Sequence, residues 1–131
     1  LQGLAIINLK KVTFRDRIIV TGRVAPCAQS FAVNLGQNDS NYVIHFNPRF
    51  NESNGVIVCN SMINGGWSNE MRIYQFPFQQ GAEAKMSFLF EGKKVKVRIP
   101  DEIIFMSNLN LDYIEYISVV GDFIVHSIRM E

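Results

Sequence analysis

Cysteine is scarce in this chain, charge of either sign is nearly balanced, and long apolar runs are missing. Each absence excludes something. The two cysteines, Cys27 and Cys59, have neither metal-ligand spacing nor the density of a disulfide scaffold, so free thiols in a reducing compartment are expected. A formal net charge of +1 leaves no strong footprint for nucleic acid. The densest group of cations, Lys93, Lys94, Lys96 and Arg98, alternates with Val95, Val97 and Ile99 as the solvated face of a strand does. No apolar run approaches the roughly 20 residues of a membrane-spanning helix, so no membrane insertion is expected. Leu1–Leu9 lacks the basic start and long apolar run of a signal peptide. Two Asn-x-Ser matches, at Asn38 and Asn51, matter only in a chain that enters the secretory pathway, and are read here as chance. There is no linker, internal repeat or low-complexity stretch.

What remains is an ordinary globular composition, 47% hydrophobic and 19% charged over 131 residues, enough for one domain spanning residues 1–131 with a real core. Short alternating segments bounded by Gly, Pro, Asn and Asp recur throughout, the pattern of an all-β sandwich or barrel. Strands are expected at Leu4–Leu9, Arg17–Val24, Ser30–Leu35, Asn41–Asn47, Val56–Ser61, Glu70–Tyr74, Ala84–Phe90, Lys94–Ile99, Glu102–Met106, Tyr116–Val120 and Phe123–Met130. Turns are expected at Gly36–Ser40, Asn54-Gly55, Gly65-Gly66, Glu91-Gly92 and Gly121-Asp122. Leu109–Ile114 is the one candidate helical turn.

The stretch from His45 to Arg72 carries the chemistry. Alternation over Tyr42–Arg49 predicts Tyr42, Ile44 and Phe46 on a packing face and His45, Asn47 and Arg49 on a recognition face. Pro48 cannot donate to a ladder, so pairing is expected to end there and leave Arg49 at a rim. Arg49 and Arg72 can then flank Glu70, which holds their planar donor forks. His45, Asn47 and Asn60 add neutral donors and acceptors, and Trp67, behind Asn64-Gly65-Gly66, adds an exposed aromatic plate. Directional polar groups facing one aromatic plate suit a sugar. Among hexoses the set favours galactose, whose axial 4-hydroxyl leaves the C–H groups at positions 3, 4 and 5 as one apolar face for Trp67. That hydroxyl then meets His45, Asn47 and Arg49. Glucose would leave polar groups unpaired, at about 1 to 3 kcal/mol each.

Singly, these residues have plainer explanations. A lone strand histidine is usually a satisfied residue, the natural reading of His126; a Trp after Gly-Gly is usually a packing lid. An Arg two residues from a Glu is usually a surface pair worth about 0.2 to 1 kcal/mol. Together they form a specific signal. A glycosidase would need two carboxyl groups across the scissile bond, and beside Glu70 only Glu52 is available, so no catalysis is expected. An intracellular lipid-binding β-barrel matches the length, but it places a helical pair where Arg17–Leu35 alternates as strands around Pro26.

The constellation resembles the galectin signature over nearly the whole chain. The resemblance is carried by His45-Phe46-Asn47-Pro48-Arg49-Phe50, by Val58-Cys59-Asn60, and by Trp67 with Glu70 and Arg72. Ser30-Phe31, Asn34-Leu35-Gly36, Phe76-Pro77-Phe78 and Gly121-Asp122-Phe123 support it. It implies a jelly-roll-like sandwich of two antiparallel sheets, no cofactor, no metal and a shallow groove for β-galactoside glycans. By that resemblance His45, Asn47 and Arg49 bind the galactose 4-hydroxyl, Asn60 and Glu70 the 6-hydroxyl, and Trp67 stacks on the ring. Arg49, Glu70 and Arg72 then reach the 3-hydroxyl of a neighbouring glucose or N-acetylglucosamine. It further implies a homodimer through Leu4–Leu9 and Phe123–Met130 that cross-links glycoconjugates. The implied location is the cytoplasm, and the cell exterior by a route independent of a signal peptide. The sequence departs from the pattern in a short Asn51–Gly55 loop, with Glu52 and Ser53 where some members place a histidine. It also lacks a Pro-Asn-Arg run at Phe105–Asn108.

Overall fold

The computed structural model describes residues 3–13 and 16–131, with residues 3–11 described by their backbone. In chain order the strands are β1 (Gly3–Val12), β2 (Arg17–Val24), β3 (Phe31–Asn38), β4 (Asn41–Arg49), β5 (Val56–Ile63), β6 (Gly66–Trp67), β7 (Met71–Ile73), β8 (Glu83–Glu91), β9 (Lys94–Arg98), β10 (Glu102–Met106), β11 (Ile114–Gly121) and β12 (Phe123–Met130). They form two antiparallel sheets. One runs β1-β11-β3-β4-β5-β6, with β7 also on β5, and the other runs β10-β9-β8-β2-β12. Among the described residues there is no helix, and Leu109–Ile114 is irregular up to the start of β11 rather than a helical turn. The expected two-sheet sandwich is the fold, and it leaves the edges that a closed lipid-binding barrel would not have.

Alternation explains the layers. Leu35, Ile44, Phe46, Ile57, Cys59, Ile117 and Val119 of the first sheet face Ile18, Val20, Met86, Phe88, Val95 and Val97 of the second across one apolar core. Phe46 meets Phe88 edge-on, with centroids 5.6 Å apart, and so joins the sheets directly. Phe31 is the other hub, stacked on Phe123 at 4.8 Å and edge-on to Phe78 at 5.5 Å. Beside it, Asp122 accepts the amides of Gln29 and Ser30 at 2.9 and 3.3 Å, fixing the entry to β3.

Three local expectations need correction. Pro48 does not end the pairing of β4, which continues against β5 through Pro48↔Ile57 and Arg49↔Val56. Only the β3 side lapses after Val33↔Phe46, to return as the single bridge Ser30↔Arg49. Gly36 lies within β3, the turn falling at Asp39-Ser40. There Leu35 opposes Ile44 but Gly36 opposes Tyr42, so β4 carries an extra residue. A Cβ on Gly36 would lie 2.0 Å from the Asn41 carbonyl oxygen, so only glycine admits this close approach. The bulge places Val43 and Ile44 both in the core and turns Tyr42 to the opposite face, where its ring stacks on Tyr116 at 6.2 Å and lies 6.3 Å from Trp67.

Candidate functional site

Downstream of the bulge, alternation holds. The register sets His45 between Asn34 of β3 and Asn60 of β5, and Arg72 of β7 opposite Val58. Trp67 enters through β6, a two-residue strand absent from the expected set and paired as Met62↔Trp67 after the Asn64-Gly65 turn. Its side chain is 52% exposed, and its ring lies 4.6 Å from the His45 ring at 52°. His45, Arg49, Asn60, Trp67 and Glu70 line one groove of about 320 Å³, together with Val58 and Ser68. Asn47 and Arg72 do not line it; they stand behind Arg49 and Glu70.

Asn47 is buried, donating from Nδ2 to the Phe31 carbonyl at 2.7 Å and accepting Arg49 Nε on Oδ1 at 2.9 Å. It therefore ties Arg49 to the Phe31 hub. Glu70 contacts both arginines, Arg72 at 3.3 Å and Arg49 at 4.0 Å. The tighter partner of both is Glu52, which takes Arg49 Nη1 at 3.0 Å and Arg72 Nη1 on its other oxygen. Hydrogen bonds from Arg72 and then Arg49 hold the Glu52 carboxyl below its ordinary range, and the same partnership raises Arg72. Two carboxylates and two guanidiniums thus alternate along one wall, and neither carboxylate is free of the arginines. The loop makes this possible. Ser53, Asn54 and Gly55 all take positive φ, and a Cβ at Gly55 would lie 2.5 Å from the Phe76 ring.

A buried polar chain lies behind His45. His45 Nδ1 is 2.6 Å from Asn34 Oδ1, and Asn34 Nδ2 donates to Ser118 Oγ at 3.0 Å. With the amide so oriented, Nδ1 carries the proton and Nε2 is left as a bare acceptor toward the groove. Burial and then the Arg49 cation lower His45 to about 4, outweighing an opposing effect of the nearby Asn47 side chain, so the ring is neutral near pH 7. Sequence reasoning missed Asn34 and Ser118 as site residues. Their signal was one polar side chain in each of two apolar runs, Phe31–Leu35 and Tyr116–Val120, and both are buried, at 4% and 2% exposure.

On this face the groove offers a neutral acceptor, fixed guanidinium donors, an amide and carboxylates beside an exposed aromatic plane. Among the described residues no group of acidic, His and Cys side chains could hold a metal ion. Cys59 faces the core and Cys27 is exposed, both as free thiols.

The family model described as Galactoside-binding lectin matches residues 4–130. Galectin-1 of Ovis aries is 42% identical over 116 residues, 86% of this chain and 86% of its own. Among solved structures, CG-16, a homodimeric agglutinin from chicken liver, superposes with a TM-score of 0.93 at 34% identity, covering 98% of this chain and 100% of that one. A toad ovary galectin in complex with thio-digalactose does so at 0.91 and 31% identity, covering 98% of each. The chain therefore belongs to the galectin family of galactoside-binding lectins.

Proposed function

We propose that this protein is a lectin that binds β-galactosides in the groove between β4 and β6 and joins glycans together without chemical change to them. The observation that carries this reading is the polar row Asn34–His45–Asn60 lying beside the exposed Trp67 plane. Galactose stacks its apolar face on Trp67, and its axial 4-hydroxyl donates to His45 Nε2 and accepts from Arg49. Asn47 acts at that hydroxyl through Arg49, which it holds. Asn60 and Glu70 take the 6-hydroxyl, and Arg49, Glu70 and Arg72 reach the 3-hydroxyl of the adjoining sugar. The complex of the toad ovary galectin with thio-digalactose supports a galactoside in this groove. Both carboxylates on the wall are engaged by arginines, which leaves no free acid and base pair for glycoside hydrolysis.

The same reading includes a homodimer. β1 and β12 are edge strands of the two sheets, each paired on one side only, and β12 exposes Ile124 and Met130. Pairing these edges across a twofold axis would continue both sheets, and the homodimeric state of the chicken agglutinin supports it. The apolar side chains expected of Leu4–Leu9 in that interface, Ile6 among them, lie outside the described residues. Action both in the cytoplasm and outside the cell completes the proposal. Retention on a lactose resin tests the site: Trp67→Ala and Arg49→Ala should each abolish it. A folded variant that elutes like the parent would refute the assignment.

A further inference from the structure

A cavity larger than the sugar groove lies elsewhere among the described residues. It opens on the outer face of the second sheet and encloses about 510 Å³, within the range of small-ligand sites. Period-two alternation builds it. Ile19 lies opposite Ser87, and Ser87 opposite Arg98, so the three share one face. Phe78, Ile99 and Pro100 form an apolar wall, with Ile19, Phe78 and Ile99 each at least nine-tenths buried.

Charge around the opening is unevenly matched. Glu83, on the rim, takes Arg23 at 3.2 Å, and Arg98 is met by Glu102 at 3.6 Å. Among the described residues neither Arg17 nor Lys85 has a carboxylate partner; Arg17 has only a long 3.5 Å contact to Ser87 Oγ. Two unmatched cations and a hydroxyl therefore line one concave site beside an apolar wall. An anion there gains charge-assisted hydrogen bonds, and an apolar body attached to it gains the wall.

We propose that this cavity binds a small amphiphilic anion, an apolar ring or chain bearing one compact oxyanion. Arg17, Lys85 and Ser87 Oγ hold the oxyanion, and Phe78, Ile99 and Pro100 take the apolar body. The cavity belongs to the sheet that does not carry the galactoside residues, so the two ligands bind independently.

Titration of the isotope-labelled full chain with naphthalene-1-sulfonate, in saturating lactose, tests this by amide chemical-shift mapping. Shifts should centre on β2, β8 and the segments around Phe78 and Pro100. The doubly substituted Arg17→Gln, Lys85→Gln chain should bind the probe about tenfold more weakly while binding lactose as the parent does, which also reports its folding. Sulfate alone and 1-naphthalenemethanol should each bind at least about tenfold more weakly than the sulfonate. Shifts centred on His45–Trp67, equal affinity in the double variant, sulfate or the alcohol matching the sulfonate, or no binding would each overturn the proposal.

Discussion

His45 Nδ1 and Asn34 Oδ1 lie 2.6 Å apart on neighbouring strands, and this one contact decides which face of the imidazole the groove meets. Asn34→Ala removes the orienting acceptor and lets the proton move to Nε2, where it would oppose a donating 4-hydroxyl. Lactose affinity should fall about tenfold, in line with the loss of a group that orients another, with nitrogen-15 shifts of the His45 ring showing mixed tautomers. An unchanged tautomer with unchanged affinity would refute that role.

Acid should act through the same ring. Above pH 6.5 native and unfolded His45 are both neutral, so it contributes no pH dependence. As pH falls from 6.5 toward about 4, the unfolded chain takes a proton that the native site refuses, and stability drops by on the order of 3 kcal/mol. Below about 4 both states are protonated and this contribution is flat. Lactose affinity should hold steady down to about pH 5 and collapse near 4, as Nε2 ceases to accept. Calorimetry across pH checks both limbs, and a midpoint near 6.5 for binding would contradict the buried neutral ring.

Glu52→Gln should separate the two sugars of a disaccharide. Arg49 keeps Asn47 as a partner, whereas Arg72 keeps only the longer contacts to Glu70. Because these pairs are exposed and screened by solvent, lactose should weaken only about threefold to tenfold. Methyl β-galactoside should change less than about twofold. Equal losses for both ligands would place Glu52 at the galactose itself.

The thiols should differ sharply. Cys59 is fully enclosed and burial pushes its thiol up to about 12, whereas Cys27 is exposed. Native protein should therefore react with one equivalent of a thiol reagent, and denatured protein with two. Two fast equivalents in native protein would show that the β4–β5 region opens readily.

The dimer is tested at β12. Ile124→Asp, at an exposed position, should give a species sedimenting at 14.9 kDa rather than twice that mass. It should still bind lactose and no longer agglutinate red cells. Agglutination by a strictly monomeric chain would remove the edge-pairing mechanism.

How much was legible in the sequence follows from how local each cause is. The limits of β2, β10 and β12 and the alternation of His45, Asn47 and Arg49 depend on neighbours two residues away, and they emerge as expected. The direction of Tyr42 depends on Gly36 in another strand, so period-two reasoning places it on the wrong face. Glu52 enters the arginine network because three successive residues take left-handed conformations. Asn54 and Gly55 announce that by type, and Ser53 does not. Asn34 and Ser118 matter through a hydrogen bond between side chains 84 positions apart, a distance no local pattern spans. Pro48 fails as a terminator because its missing donor affects one ladder and leaves the other intact.

The extra residue in β4 also has a bearing on how this lectin can diversify. It sets the two halves of the strand in opposite phase, so the side chains before Val43 and those after Ile44 answer to separate constraints. On the proposed reading, galactose identity is read after the break, by His45 and Arg49. Before it, Tyr42 stacks on Tyr116 of β11 and stands beside Trp67. Substitution at Tyr42 should therefore affect a glycan extended past Trp67 toward β11 without disturbing the galactose it carries, whereas straightening the strand with the extra residue kept would rotate Tyr42 into the core.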